Sequence, residues 1–448
     1  MADTDAQTAS TPKLAILAGI SGLLLAGMIS GAALWIIVAL TAGILLVVNS
    51  FLANTWSRST IATRSRGDQE VKIGSRLPIE VELTNHSKMP VLWLLVEDLI
   101  PNWATIFDPP TLQIEGDRIK VLLIGAGKTC SLSYEIKCNR RGYFQIGPTV
   151  METGDLMGMY RRYRVGTQPQ YITVLPNIVA LSSYEIGSRR PIGEIRMREN
   201  IMDDPTRLRG IRQWQPGDPM RSVHWAATAR TGTLHSKIYE PSSIVGATLI
   251  LDLHTSSNPE NHEPVRCDLA VTAAASIANS LHDANEPVGL ATNGRDAADR
   301  IRLEGWVGDH RVRGEAQASA SMSSENERLR PVIMTPERGP THFKQMVRTL
   351  ARLERSDGLT LAELLVECES QLSADTTLLV ILQQCTAESM GAMLDLKRRG
   401  RAVAAIINTH DINDYSNIAG PLIAARIPTF HLSSHDTILD VCRQTLLR

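Results

Sequence analysis

Leu208-Arg-Gly-Ile-Arg-Gln-Trp-Gln-Pro-Gly-Asp-Pro-Met-Arg-Ser-Val-His-Trp-Ala-Ala-Thr-Ala-Arg230, continued by Thr231-Gly-Thr-Leu-His-Ser-Lys-Ile-Tyr-Glu240, is the stretch around which the rest of the chain is organised. Its residues predict a turn, a helix, a stop and a strand. Pro216-Gly217 turns the chain. Asp218 is placed to cap a helix beginning at Pro219, because a carboxylate there accepts orphan N–H groups and proline loses nothing at the first helical position. Arg221 and Trp225, four residues apart, then share a face. Gly232 stands where a left-handed residue closes a helix. From Thr233 to Glu240 apolar and polar residues alternate, as in a strand.

Arg209, Arg212, Arg221 and Arg230 make the stretch rich in arginine, with few acids near in sequence. One reading pairs these guanidiniums with carboxylates from elsewhere in the fold; another leaves them open for an anion or a partner's carboxylate. A planar five-donor fork serves both. A catalytic role is the third reading, and no nucleophile–base pair in the stretch supports it.

The order Arg212-x-x-x-Pro216-Gly217-Asp218-x-x-Arg221-x-x-x-Trp225-x-x-x-Ala229-Arg230 resembles the signature of the family called domain of unknown function 58. His224 departs from it, since an acid is common before the tryptophan. Arg140-Arg-Gly-Tyr-Phe-Gln-Ile-Gly147 and Gly154-Asp-Leu-Met-Gly-Met-Tyr160 extend the resemblance, although Leu156 and Met157 replace the usual proline and phenylalanine. The resemblance implies a bacterial or archaeal membrane-anchored protein, often encoded beside a MoxR-type AAA+ ATPase, with a C-terminal domain like that of von Willebrand factor A.

Upstream of the signature, no charged side chain occurs between Leu14 and Ala53. About 20 residues cross the hydrocarbon layer, so this run is long enough for two spans. Ser30-Gly31 marks the turn of a transmembrane helical hairpin, 14–30 and 32–54, after a disordered tail at 1–13. Cleavage as a signal peptide is a weaker alternative, because no Ala-x-Ala site precedes a mature domain. Arg58, Arg64, Arg66 and Lys72 follow the run, against Lys13 with Asp3 and Asp5 before it. By the positive-inside rule both ends face the cytoplasm, giving a two-pass protein of the plasma membrane. A single long span with the soluble part outside is the other topology.

Between 68 and 175 short alternating runs such as Ile79-Glu-Val-Glu-Leu83 and Leu132-Ser-Tyr-Glu-Ile136 predict an all-β, sandwich-like domain. Residues 176–207 read as a linker, with Arg189-Arg190 and Asp203-Asp204. After the signature, 208–240, comes an α/β domain over 241–448. Apolar strands at 246–253, 287–291, 376–382, 402–407 and 428–432 alternate with helical patterns at 267–282, 341–355, 359–370 and 386–399, which predicts a mostly parallel, doubly wound sheet. Residues 295–330 read as a polar insertion, with 314–326 mobile.

This α/β domain resembles a von Willebrand factor A domain, which holds Mg²⁺ through an Asp-x-Ser-x-Ser loop, a distant threonine and a distant aspartate. Oxygen ligands suit that hard cation. Asp252-Leu-His-Thr-Ser256 supplies Asp252 and Ser256, with His254 in place of the first serine, and Thr341 is the candidate threonine. Gln383 and Gln384 stand where the second acid belongs, so the metal site is degenerate. Asp252 and Ser256 as caps of the adjoining loop is the plainer reading.

The near-neutral balance, with a formal net charge of -1, gives no global case for nucleic-acid binding. Cys130, Cys138, Cys267, Cys368, Cys385 and Cys442 show no regular spacing and read as free thiols in a reducing compartment. No Gly-x-Ser-x-Gly, P-loop or His-Glu-x-x-His occurs. The sequence therefore points to a non-enzymatic adaptor or scaffold for a MoxR-type AAA+ ATPase, with self-association open. A Mg²⁺-dependent binding module and a hydrolase of envelope material are the alternatives. In the adaptor reading Trp225 is structural and its loss destabilises the fold, whereas an exposed arginine such as Arg221 contacts the partner.

Overall fold

The computed structural model describes residues 10–31, 33–65, 67–101, 103–106, 109–155, 161–180, 203–215, 220–241, 246–304, 329–372 and 376–447. The chain divides into two compact units. The first is Met1–Leu175 with Ala297–Glu325, and the second is Pro176–Asp296 with Asn326–Arg448.

In the first unit, α1 (Ser10–Ser30) and α2 (Ala33–Ser59) flank Gly31, which adopts the left-handed φ of 62° that a residue without Cβ takes freely. Helix α1 thus starts inside the stretch read as a tail. The helices pack on each other, and a Cβ at Gly27 would come within 2.8 Å of Ile36. Among the described residues one helix, α2, is long and apolar enough to cross a membrane; the apolar part of α1, Ala18–Ser30, is shorter.

Helix α2 does not stop at 54. It runs on to Ser59 and passes directly into a strand, because Asn49, Ala53 and Trp56, spaced for one helical face, are buried there. The strands of this unit are β1 (Thr60–Arg64), β2 (Gln69–Lys72), β3 (Arg76–Asn85), β4 (Val91–Asp98), β5 (Leu112–Gly116), β6 (Ile119–Ile124), β7 (Thr129–Cys138), β8 (Gly142–Ile146), β9 (Thr149–Gly154), β10 (Arg161–Val165) and β11 (Gln170–Leu175). They form sheets ordered β1-β3-β7-β5, β10-β9-β4-β6 and β2-β11-β8. The sheet region thus begins eight residues earlier than 68, at Thr60. Strand β3 alternates cleanly, with Leu77, Ile79, Val81 and Leu83 buried and the residues between them facing out. Trp56 shares one core with Val81, Leu83 and Leu132 of the first sheet and with Leu94, Val96, Ile124 and Met151 of the second.

The second unit starts with a two-stranded ribbon of β12 (Asp203–Gln213) and β13 (His235–Pro241). Strand β12 reaches back into residues read as linker. A six-stranded sheet follows, from β14 (Ala247–Leu251), β15 (Val288–Thr292), β17 (Val332–Glu337), β19 (Thr377–Leu382), β20 (Val403–Ile407) and β21 (Thr429–His431). Its order is β17-β15-β14-β19-β20-β21, and all neighbours are parallel except the edge pair β15–β17. Every residue of β14, β15, β19 and β20 is buried, as their unbroken apolar runs require when both faces are covered. Val265–Asp283, Pro340–Arg352 and Thr437–Leu447 cover one face; Leu361–Cys368, Ala387–Arg398 and Ile412–Ala424 cover the other.

The span read as a polar insertion opens with structure. Short β16 (Arg295–Asp296) pairs with β18 (Leu353–Glu354), and the helix Ala297–Glu304 belongs with the first unit, where it packs on β8. Arg295, Arg300 and Ile301 are buried, so polarity alone misled the reading. Residues 314–326 and most of the linker, 181–202, lie outside the described residues.

Candidate functional site

Two places in the second unit carry candidate chemistry: the signature element and the carboxyl end of the parallel sheet.

In the signature element the chain does not fold as one helix from Pro219. Gly217 and Asp218 lie outside the described residues; Met220–Ser222 makes a single 3-10 turn, and the α-helix is Trp225–Thr231. Its N-cap is His224, whose Nδ1 accepts the N–H of Ala227 at 3.0 Å. An acid at that position supplies the same acceptor, which accounts for the interchange. Gly232 closes the helix at φ 73°, as its place predicts. The helix is tied to β13, because the Thr228 hydroxyl accepts the N–H of His235 at 3.1 Å. Val223 is buried and bridges to buried Ser236.

Arg209 lies in β12 and Arg221 in the 3-10 turn. Arg212 pairs in register with Ser236 and donates to Gln213 O at 3.2 Å, while Arg230 is exposed near the helix end. Trp225 is 64 % exposed. Among the described residues little encloses the side chain expected to anchor the fold. Met220, Ile211 and Leu234 of the same element are exposed too.

The second place lies where β14 and β19, side by side, send their chains to opposite edges of the sheet. Such a switch point opens a crevice outside the strand ends. Asp252 follows β14 there and is 2 % exposed. Its Oδ1 accepts from Asn293 Nδ2 at 2.8 Å and from the His254 N–H at 3.1 Å; its Oδ2 accepts from the Ser257 hydroxyl at 2.7 Å. All three donors are neutral. Burial pushes the Asp252 carboxyl above its ordinary 3.8, and the Asn293 and Ser257 hydrogen bonds pull the other way. Burial, with Asp252 adding to it, pushes the nearby Cys385 thiol up to about 11.

The loop between Pro340–Arg352 and Leu361–Cys368 closes over this turn. Ser356 N–H donates to Leu253 O at 3.1 Å, and Ser356 O accepts from Thr255 N–H at 2.9 Å. Thr360 and Glu363 form a capping box at the start of the second of these helices. The Thr360 backbone N–H, then its hydroxyl, hold Glu363 below the usual carboxylate range.

Residues 210–304 match the family model described as Protein of unknown function DUF58. Over this span the chain is similar to the DUF58 family. A relative, the uncharacterized protein YeaD of Bacillus subtilis (strain 168), is 24% identical over 241 residues, covering 53% of this chain and 57% of that protein. The match therefore spans little more than half of the relative's length. Among solved structures, the CARDB domain of a Pyrococcus furiosus protein, in complex with di-metal ions, aligns at 12% identity and a TM-score of 0.17, covering 26% of this chain and 91% of that one. Domains 4 and 5 of the S-layer protein SbsC align at 11% identity and a TM-score of 0.15, covering 25% of this chain and 50% of that one.

The matched span holds both the signature helix and Asp252. The trio read as a metal site does not assemble. Ser256 pairs with His254 Nδ1 at 2.7 Å, and it is Ser257 that reaches Asp252. Thr341 sits at the other end of the sheet. Its neighbour His342 donates from Nε2 to Val288 O at 2.8 Å, and Val288 pairs with Ala247, the first residue of β14. Strand β14 separates that level from Asp252 by roughly 16 Å at about 3.3 Å per residue. Gln383, where an acid was sought, donates to Glu263 Oε1 at 2.7 Å, and Gln384 is exposed. Among the described residues no group of three or more His, Cys, Asp and Glu side chains is arranged to hold a metal. Sequence reasoning missed Asn293 and Ser257; the only local sign was a polar pair, Ser257-Asn258, after an apolar strand.

Proposed function

We propose that this chain is a DUF58 protein acting as a non-enzymatic, membrane-anchored adaptor whose signature element is the docking surface for a partner, a MoxR-type AAA+ ATPase in the first instance. One observation carries this reading: Trp225, in the heart of the signature, is exposed together with Met220, Ile211 and Leu234 on a short ribbon-and-helix element. Exposed tryptophan near arginine is the composition that dominates binding energy at protein interfaces. ATP chemistry belongs to the partner. The anchor is a transmembrane hairpin of α1 and α2, and the basic residues after it keep the soluble units in the cytoplasm. The strand order with one antiparallel edge supports a von Willebrand factor A-like second unit, and the two cores of the first unit's sheets support a sandwich.

Cross-linking in membranes, recovery through a C-terminal tag and mass spectrometry test this. An AAA+ ATPase enriched in ATP over ADP, and lost by about tenfold or more in Trp225→Ala, is the expected result; tenfold corresponds to about 1.4 kcal/mol. Equal recovery with Trp225→Ala removes the signature from the interface. Recovery of the chain alone overturns the adaptor and leaves self-association. The second reading is a ligand site at the switch point, favoured by a buried Asp252 whose partners are all neutral. Asp252 Oδ1 already accepts two hydrogen bonds and Oδ2 one, so a cation there is met by Oδ2. Calorimetry with Mg²⁺ and an Asp252→Ala control tests it.

A further inference from the structure

Helix α2 is gripped by the first unit from Asn49 onward, and this sets how deep that unit sits if α2 crosses a membrane. Residues 33–48 rise about 24 Å at ~1.5 Å per residue. The hydrocarbon layer is about 30 Å thick. Asn49, Ala53 and Trp56 are buried, so the turns that would make up the difference, although open on the other face at Phe51, already lie against the unit. The end of the unit nearest α2 must therefore reach the lipid itself.

That end is identifiable. Ser59 O, in the last turn of α2, accepts the N–H of His86 at 2.9 Å, and the Arg164 guanidinium reaches Ser57 O at 3.4 Å. Asn85 ties the two neighbouring turns together: its N–H donates to Lys128 O at 3.0 Å, and its Nδ2 to Met89 O at 2.9 Å and Gly125 O at 3.2 Å. Beside these turns β4 and β6 pair, Val91 against Ile124, with both of those side chains in the core. Leu92 and Leu123, one residue along, consequently face out on the other side of the ribbon. Leu123 is 62 % exposed and Val121 64 % exposed, and Leu92 and Met89 are also open. Lys88, Lys128 and Arg58 are exposed around them. Strand β6 is the edge of its sheet, and among the described residues this face is open.

Resting on the reading that α2 spans a bilayer, we propose that this apolar tip, Met89, Leu92, Val121 and Leu123 within a ring of lysine and arginine, is seated in the headgroup layer of the same membrane. Apolar side chains inserted to the acyl boundary, with basic residues at the anionic headgroups, make up an interfacial anchor. The unit is then held at two places, the helix and the tip, and it cannot swivel freely about α2.

The test uses the full-length chain in bilayers containing anionic lipid, with Cys130 and Cys385, the partly exposed thiols, changed to serine. An environment-sensitive fluorophore is attached in turn at Leu123→Cys, at Val47→Cys in the exposed part of α2, and at Glu135→Cys, exposed on β7 towards the other end of the unit. Lipids carrying a quencher just below the headgroup should quench Leu123→Cys at least about twofold more than Glu135→Cys. Equal, weak quenching at those two sites with strong quenching at Val47→Cys overturns the seated tip and leaves the membrane span standing. No quenching at Val47→Cys removes the span and the proposal together. A fluorophore at position 123 that is shielded in proportion to protein density, without lipid quenching, assigns the face to a second copy instead and likewise overturns it.

Discussion

Each unit buries an aspartate completely, and the two are solved in opposite ways. In the first unit Asp98 faces the Arg64 guanidinium, and it also accepts from the Tyr134 hydroxyl at 2.5 Å and the Thr149 hydroxyl at 3.1 Å. Burial, then the adjacent Asp98, raise the Tyr134 hydroxyl well above its ordinary 10.0, so the phenol stays a donor. In the second unit Asp252 has three hydrogen bonds from neutral donors and, among the described residues, no arginine or lysine bound to it, only a small favourable pull from His254. The first arrangement fastens β1, just after α2, to β4 and β9. The second leaves a negative charge uncompensated at the one place in the sheet where topology opens a crevice. A buried carboxylate is a clamp where its partner is a cation and a latent site where its partners are neutral.

The largest effect should come from breaking the clamp. Arg64→Ala leaves Asp98 buried without countercharge, and a loss of about 3–5 kcal/mol in the stability of the first unit is expected in denaturant titrations. A loss under ~1 kcal/mol would erase the contrast between the two aspartates. Next, Ser257→Ala takes the donor from Asp252 Oδ2, and it should cost about 1–3 kcal/mol.

Ionisation of Asp252 sharpens the comparison through pH. Its folded value lies above the unfolded one, so the folded state binds the proton more tightly; the stabilisation is fully present below pH 3.8 and is lost as pH rises through the folded value. Melting temperature measured across this window should fall more steeply with rising pH in the wild type than in Asp252→Asn, and parallel curves would show the burial to be compensated after all. His224→Ala removes the cap of the signature helix and should cost about 1 kcal/mol. Smallest of all, Trp225→Ala should change stability by no more than about 0.5 kcal/mol, as for an exposed side chain, and its effect should be read in binding.

The signals that the sequence carried well were local. A run without charge gave apolar helices, alternation gave β3 and β7, and unbroken apolar runs ending in polar residues gave β14, β19 and β20. The candidate site was half legible. Asp252 was found because it ends a buried strand, whereas its partners were not. Choosing Ser257 over Ser256 depends on how the turn after β14 coils, and Asn293 comes from the end of another strand. Thr341 was misplaced because it lies in the first turn of a helix that starts at the amino end of the sheet, a fact fixed by the antiparallel course of β17. Trp56 and Trp225 show the same limit from both sides. The first sits in an apolar helix and is buried by sheets far along the chain; the second sits in the signature and is left exposed.

By itself, then, the sequence determined the periodicities, the caps and turns such as Gly31 and Gly232, and the family signature, because these depend on dihedral preference and on neighbours within a few residues. Only the tertiary structure decided which strands lie side by side, which aspartate meets an arginine, and where α2 ceases to be free helix. Those outcomes are settled by contacts between residues tens of positions apart, and burial, which fixes the energy of a charge, exists only once those contacts have formed.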